Sequence, residues 1–141
     1  MYSKDMGAAH FDTLTAARSH FRDLLDAAES GRPATVVREH RRSAVVDAER
    51  LRRELAARTP AAAEVVPEAG GWSVFFPGRP IAADGATFDE AVREAVAALR
   101  EYAEDWSDHL LTAPNHADNW ALVQIVELST DEQLVDWITA A

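Results

Sequence analysis

The first regular pattern of apolar positions begins near residue 14. Because these residues recur at steps of three and four, we predict one helix, capped by Thr15 and running to about Glu29. Gly31 and Pro33 follow, and both are typical of the end of a helix. The apolar positions that would share one face are Leu14, Ala17, Phe21, Leu24, Leu25 and Ala28.

Two short β-branched runs come next, at residues 34–38 and 43–46. The charged residues 39–42 lie between them, so we predict a β-hairpin with a charged turn. A second helix is expected from 47 to about 58, and a short strand near Phe11.

The second half of the chain has a different pattern. Strong β formers predict a strand at residues 71–76 and a weaker one at 80–83, followed by a turn at 84–85. Thr87 and Glu90 then have capping-box spacing, which predicts the start of a helix. Its apolar positions are Phe88, Ala91, Val92, Ala95, Leu99, Tyr102, Ala103 and Trp106.

An apolar run at residues 120–128 is interpreted as a strand buried on both faces. A long connection, residues 107–119, precedes it, and Thr130 begins a short terminal helix. Strands and helices of this order predict the fold class α+β.

A stretch rich in alanine and proline separates the two halves. Residues 59–71 contain Pro60 and Pro67 and end in a glycine pair, a composition typical of a linker. We therefore predict two modules, residues 1–58 and 72–141, joined by a linker at 59–71.

Charge divides at the same place. The 141 residues carry 14 basic and 24 acidic side chains, and the formal net charge of −10 would by itself argue against nucleic acid. Residues 1–58, however, hold 11 basic against 9 acidic residues, whereas residues 59–141 hold 3 against 15. Because its basic residues outnumber its acidic ones, the first module is compatible with DNA binding. The acidic second module is expected either to bind a basic protein or only to confer solubility.

The composition also excludes several classes of protein. With no cysteine, the chain has no disulfides, no thiolate catalysis and no cysteine-bound zinc. The first ten residues lack the apolar run of a signal peptide, and no stretch approaches the roughly 18 apolar residues of a membrane span. We expect a cytoplasmic protein with no membrane partner.

Catalytic motifs are absent from the sequence. It has no glycine-rich phosphate loop, no HExxH and no recognisable serine–histidine–aspartate arrangement. His109, His116 and Asp118 have poor spacing for metal ligands. We therefore expect no enzymatic activity, no metal and no cofactor.

The first module is small for an independent fold. A module of about 58 residues buries too little apolar surface to be comfortably stable alone, and a twofold dimer is the commonest remedy. A dimer would duplicate the basic side chains, which suits a palindromic DNA site; the alternative is a merely solvated basic face. The arginines concerned are Arg18, Arg22, Arg38, Arg41 and Arg42.

Five short segments of the first module form one series in the order capped helix, turn, hairpin and helix; they are residues 14–18, 24–25, 29–31, 35–38 and 42–47. Through them the first module resembles the prevent-host-death (Phd/YefM) family of antitoxins over residues 9–58. The resemblance implies a helix–hairpin–helix dimerisation module that binds its own operator, with DNA contacts by those five arginines. The hairpin turn departs from the family pattern because residues 39–42 contain no glycine.

In the second module, an aromatic-rich strand that ends in proline (72–77) is followed by a Gly-x-Thr-x-x-Glu-Ala helix start (84–91) and the rest of that helix (95–102). Through these residues the module resembles the HicB-like antitoxin fold, a reduced ribonuclease H-like domain, over residues 70–128. The resemblance implies a ββαβ module, here with a short C-terminal helix. The short second strand and the connection 107–119 depart from the family pattern.

Both resemblances imply the antitoxin of a bacterial type II toxin–antitoxin pair, a homodimer or higher even oligomer that represses its own operon. Its partners would be operator DNA and a basic cognate toxin. One alternative is a stand-alone transcriptional regulator whose second module senses a ligand or stabilises the dimer; another is an adaptor without DNA binding. The residues expected to contact the toxin are Trp72, Phe75, Asp89, Glu90, Glu94 and Trp106.

Overall fold

A computed structural model describes residues 7–140 of the chain. The chain divides into two units, Met1–Leu51 and Arg52–Ala141, which we call unit 1 and unit 2. The division falls inside a helix, rather than in the linker that the composition predicts.

Over its described residues, 7–51, unit 1 contains one three-stranded sheet, two short helices and the start of a third. Its sheet has the order β1-β2-β3, with β1 parallel to β2 and β2 antiparallel to β3. The strand expected near Phe11 and the hairpin are confirmed. The elements are β1 (Ala9–Phe11), α1 (Leu14–Ser19), α2 (Phe21–Glu29), β2 (Ala34–Arg38), β3 (Arg41–Ala44) and α3 (Ala48–Arg58), within which unit 1 ends.

The single helix predicted at residues 15–29 is wrong, because the structure has two. Thr13, not Thr15, caps α1, and its hydroxyl accepts a hydrogen bond from the backbone N–H of Ala16 at 3.1 Å. At His20 the backbone leaves helical geometry, and the His20 ring stacks on Phe11 with 5.7 Å between ring centroids. We attribute the break to this tertiary contact, which the periodicity of apolar residues does not encode.

The hairpin turn is shorter than the four residues predicted. Only Glu39 and His40 connect the strands, and Glu39 has a φ of +57°, the left-handed geometry that tight hairpin turns require. Arg41 and Arg42 therefore belong to β3. Because side chains alternate along a strand, these two arginines point to opposite faces of the sheet.

Unit 2 contains an antiparallel sheet of order β4-β5-β6, followed by helices. The long helix α4 packs on this sheet. A π-helical turn (Trp106–Leu110) and a 3₁₀ turn (Ala117–Asn119) follow it. The regular elements are β4 (Glu64–Glu68), β5 (Gly71–Phe75), β6 (Ala82–Gly85), α4 (Phe88–Asp105), α5 (Trp120–Leu128) and α6 (Asp131–Thr139).

The linker predicted at residues 59–71 is wrong. This stretch contains β4, which pairs with β5 along its whole length, and Ala61, which is 3% exposed in the core of unit 2. Pro67 is compatible with a strand here because β4 lies at the sheet edge, where a missing N–H need not break the ladder.

The strand predicted at residues 120–128 is also wrong, because the segment forms α5. A short, mostly apolar run does not clearly distinguish a buried strand from a buried helix. In the structure Leu122, Val123, Ile125 and Val126 are buried, as helical spacing allows. The ββαβ order is therefore replaced by three strands followed by α4, α5 and α6.

Local helix signals are confirmed. The Thr87 hydroxyl accepts a hydrogen bond from the backbone N–H of Glu90 at 3.1 Å, and Thr130 forms a capping box with Gln133. The second strand starts at Ala82 rather than Pro80, and it includes the Asp84-Gly85 pair predicted as a turn. The largest fully buried side chains of unit 2 include Phe76, Leu99, Ile125 and Leu134.

Candidate interaction surfaces

Unit 1 has an open groove of about 530 Å³, formed by α1, α2, β2 and β3. Two large apolar side chains of its lining are well exposed, Leu14 at 48% and Phe21 at 55%. We call this surface the unit 1 groove. Its lining residues are Leu14, Ala17, Arg18, Phe21, Leu24, Val36, Arg38, Arg41, Ser43 and Val45.

Three of the five predicted DNA-binding arginines lie in this groove. Arg38 and Arg41 are directly opposite each other across β2 and β3, and Arg18 of α1 lines the same groove. Like charges placed opposite each other across strands repel. None of these three arginines forms an ion pair with any residue of the range 7–140. Their positive charge is therefore available to an anionic partner.

The other two arginines lie elsewhere. Arg42 is opposite Val37 on the other face of the sheet, where His10 and Thr35 share a 2.6 Å hydrogen bond. Arg22 is exposed on α2 and does not line the groove. The sequence predicts that Arg41 and Arg42 lie together in one turn. It therefore does not show that their side chains point to opposite faces of the sheet.

The basic character of unit 1 is local. With the structural boundary at Leu51, unit 1 has eight basic and eight acidic residues, and unit 2 has six against sixteen. The excess of positive charge counted over residues 1–58 comes from Arg52, Arg53 and Arg58, which fall in unit 2. Within unit 1, Asp23 and Asp26 line a separate cavity of about 220 Å³.

In unit 2, four of the predicted toxin-contact residues lie near the start of α4. Trp72 packs edge-to-face against Phe88, with 5.4 Å between ring centroids. Asp89 and Glu90 are exposed in the first turn of α4, and Glu94 is exposed one turn later. Aromatic and acidic groups are therefore adjacent here, which suits a basic protein partner.

Phe75 lies on the opposite sheet face from Trp72, because the two side chains are three residues apart in one strand. On the Phe75 face, Ser73 Oγ lies 2.8 Å from Glu68 Oε2 and 2.6 Å from Asp84 Oδ1. These polar groups line a cavity of about 410 Å³ together with Trp72. The sequence does not identify Glu68 as a neighbour of this site, because the composition around it predicts a linker rather than β4.

Trp106 is separated from the other predicted toxin contacts. Helix α4 has 18 residues, and at 1.5 Å per residue this places Trp106 about 27 Å from Phe88. Its indole N–H donates to the backbone carbonyl of His116 at 2.7 Å. Tyr102 also bonds His116, at 2.8 Å. Trp106 therefore anchors the connection between α4 and α5.

One exposed ion pair reduces the acidic charge near α6. Arg93 Nη1 donates to Glu132 Oε1 at 2.7 Å. This hydrogen bond and the attraction between the charges raise the pKa of Arg93 and lower the pKa of Glu132. Any contribution of the pair to stability is therefore present above the unfolded pKa of Glu132 and is lost as the pH falls through its folded pKa.

Neither a metal site nor a membrane-spanning helix occurs in the part of the chain that the structure describes. Across residues 7–140, no group of three or more His, Cys, Asp or Glu side chains is placed to hold a metal ion. In the same range, no helix combines the length and apolar character needed to cross a bilayer. The expectation about a signal peptide falls partly on residues 1–6, which lie outside the described range.

The fold places the chain among α+β proteins with two small sheets, one in each unit. A protein of this architecture is known from Syntrophomonas wolfei subsp. wolfei, described as "an antitoxin part of a putative toxin/antitoxin system". The two share 20% sequence identity and a TM-score of 0.75, over 90% of this chain and 94% of that one. No family model matches the sequence, and no curated protein is significantly similar to it.

Proposed function

We propose that the protein is the antitoxin of a bacterial type II toxin–antitoxin system, which binds a cognate toxin directly and represses its own operon. The observation that carries this proposal is the likeness of the fold, over 90% of the chain, to the Syntrophomonas antitoxin part. An antitoxin acts by binding, so we also propose that the chain has no enzymatic activity.

Unit 1 is proposed to be a Phd/YefM-like module that forms a homodimer and binds operator DNA. In support, the β2–β3 hairpin lies between helices, as in the helix–hairpin–helix order that the resemblance implies, although two helices rather than one precede it. The unit 1 groove offers an apolar surface for a second copy. Arg18, Arg38 and Arg41, which form no ion pair with residues 7–140, offer positive charge for a phosphate backbone. Arg22 and Arg42 are given no role in this proposal.

Unit 2 is proposed to bind the toxin. Its six basic and sixteen acidic residues give it the whole net charge of −10, which would steer a basic toxin toward it. The proposal rests on this charge and on the residues at the start of α4. It does not rest on the HicB-like ββαβ order, which the structure replaces.

Co-expression with the product of the adjacent reading frame tests toxin binding. We expect the two proteins to co-purify, and co-expression of this chain to restore growth inhibited by its partner. The triple variant Asp89→Asn/Glu90→Gln/Glu94→Gln should bind its partner with an affinity reduced about tenfold or more, since charge pairs at interfaces contribute strongly to binding. Affinity is measured by isothermal titration calorimetry.

The matched control is the triple variant Glu101→Gln, Glu104→Gln and Asp105→Asn. It removes the same charge from exposed positions at the other end of α4. Equal weakening by both triple variants would contradict a site at the start of α4. Failure of the wild-type chain to bind this partner would contradict the antitoxin proposal, and DNA binding without a partner would favour the stand-alone regulator.

A mobility-shift assay on DNA upstream of the reading frame tests operator binding. The double variant Arg38→Gln/Arg41→Gln should bind about tenfold more weakly than wild type, with a shallower salt dependence, because the loss of phosphate contacts means that fewer counterions are released. The double variant Arg22→Gln/Arg42→Gln removes the same charge outside the groove and should lose less. An equal or larger loss in that control would contradict the assignment, as would no binding by the wild type at low salt.

A further inference from the structure

The sheet side of the unit 1 groove changes from cationic to apolar along its length. Arg38 and Arg41 pair across β2 and β3 at one end of the groove, and Val36 and Ser43 pair two residues further along the strands. Val45 also lines the groove, four residues beyond Arg41, which at roughly 3.3 Å per residue is a distance of about 13 Å. We call the two ends of this stretch the arginine end and the apolar end.

The helix side of the groove is mostly apolar. Ala17 and Leu24 are buried in its lining, whereas Leu14 and Phe21 are about half exposed. An apolar group that entered the groove would remove these exposed side chains from water, which is favourable. The volume of about 530 Å³ falls within the roughly 300 to 1,000 Å³ of small-molecule sites. The groove is therefore large enough for the apolar body of a small ligand.

The arginine end favours an anionic group. Arg38 and Arg41 repel each other across the strands, and Arg18 adds a third positive charge to the same lining. No carboxylate lies among the groove-lining residues, and none of the three arginines forms an ion pair within residues 7–140. A carboxylate bound here would relieve the repulsion, and a guanidinium can hold it through two parallel hydrogen bonds.

We propose that the unit 1 groove binds a small apolar carboxylic acid, with its carboxylate at the arginine end and its apolar body extended toward the apolar end. This ligand goes beyond the proposed function. A phosphate backbone is charged along its whole length, so it would use the arginines and leave the apolar end without a partner. Because Arg38 and Arg41 cannot serve a carboxylate and a phosphate at once, the bound acid would weaken the binding of DNA to this surface.

Titration of the ¹⁵N-labelled full chain with octanoate, followed by amide chemical shifts, tests this site. At about pH 7.5 the carboxyl group of octanoate is ionised. We expect saturable binding of one octanoate per chain, with the largest shifts at residues of the unit 1 groove. The matched probe is 1-octanol, which has the same chain without the charge. It should bind about tenfold more weakly or worse, because it forms no charge-assisted hydrogen bonds with the arginines.

Substitutions at exposed positions separate the two parts of the site. The double variant Arg38→Gln/Arg41→Gln should raise the dissociation constant for octanoate about tenfold or more. The control Arg22→Gln/Arg42→Gln removes the same charge outside the groove and should bind octanoate as the wild type does. Phe21→Ser removes an exposed apolar side chain from the lining and should weaken octanoate and 1-octanol by a similar factor.

Equal loss in the two double variants, or 1-octanol binding as tightly as octanoate, would overturn the assignment of the carboxylate to the arginine end. Absence of saturable binding would overturn the ligand site. If sedimentation equilibrium then shows a dimer that Phe21→Ser weakens, a second copy occupies the groove instead.

Competition with DNA distinguishes failure of this inference from failure of the proposed function. Saturating octanoate should weaken the complex of the wild type with the upstream DNA, and a complex that octanoate leaves unchanged would overturn the shared use of Arg38 and Arg41. A chain that binds octanoate but no DNA would contradict operator binding and support the ligand site.

Discussion

Replacing Gly85 with alanine is expected to lower the free energy of unfolding of unit 2 by about 3 kcal/mol or more, a large value for one added methyl group. A Cβ at this position would lie 2.3 Å from the backbone nitrogen of Ala91 and 2.7 Å from its Cα. Both are backbone atoms, so no side chain can rotate to make room. The start of α4 would have to move away from β6, and Ala91 and Val92 would leave their buried positions.

Urea unfolding followed by tryptophan fluorescence measures this loss. All four tryptophans lie in unit 2, so the signal reports this unit without assuming that the whole chain unfolds in one step. The matched control is Gly78→Ala. Gly78 has a φ of +82°, and a Cβ added there would have nothing within 4 Å, so this variant should lose only about 1 to 2 kcal/mol from backbone strain. A Gly85 variant no less stable than the Gly78 variant would contradict the close approach of α4 to β6.

At Gly85 the sequence does not predict the tertiary contact that requires a glycine. Asp84-Gly85 is a common turn pair, and the sequence predicts a turn there. The structure places both residues in β6, and Gly85 is needed because a helix lies against the strand. That requirement depends on tertiary contact, which a dipeptide signal does not contain.

Elements fixed by nearby residues are predicted well. Thr87 and Thr130 cap their helices through bonds to residues three positions away, so the pattern in the sequence is the interaction itself. The prediction for segment 120–128 is wrong because its many apolar residues outweigh the exposed pair Gln124 and Glu127, whose three-residue spacing fits a helix. The sequence does not predict β4, because Pro67 is allowed in a strand only by its place at the sheet edge.

At the candidate surfaces, too, the sequence predicts features set by neighbouring residues but not those set by the fold. The sequence identifies arginines and acidic residues by type, but their grouping depends on register. A turn two residues shorter than predicted moves Arg41 and Arg42 into a strand, where alternation sends them to opposite faces. Trp106 shares a helical pattern with Phe88, and yet the length of α4 places the two at opposite ends.

Replacing Arg100 with methionine is expected to lower the free energy of unfolding of unit 2 by about 2 kcal/mol, because hydrogen bonds to a charged group are stronger than neutral ones. Arg100 lies on α4 and donates to the backbone carbonyls of Val126 and Ser129, the latter at 2.9 Å. Carbonyls at the end of a helix lack partners within that helix. Arg100 also pairs with Asp131 at 2.8 Å, and so it joins α4 to the end of α5 and the start of α6.

The control for this experiment is Arg93→Met, which removes the exposed bond from α4 to Glu132. Both variants replace an arginine of the same helix that pairs with a carboxylate in the first turn of α6, and methionine retains an unbranched apolar side chain in each. Only Arg100 also satisfies backbone carbonyls, and exposed ion pairs contribute little to stability. The Arg93 variant should therefore unfold close to the wild-type urea midpoint, and the Arg100 variant clearly below it. Equal urea midpoints for the two variants would contradict this prediction. They would mean that water replaces the guanidinium as hydrogen-bond donor to the carbonyls of Val126 and Ser129 without loss of stability.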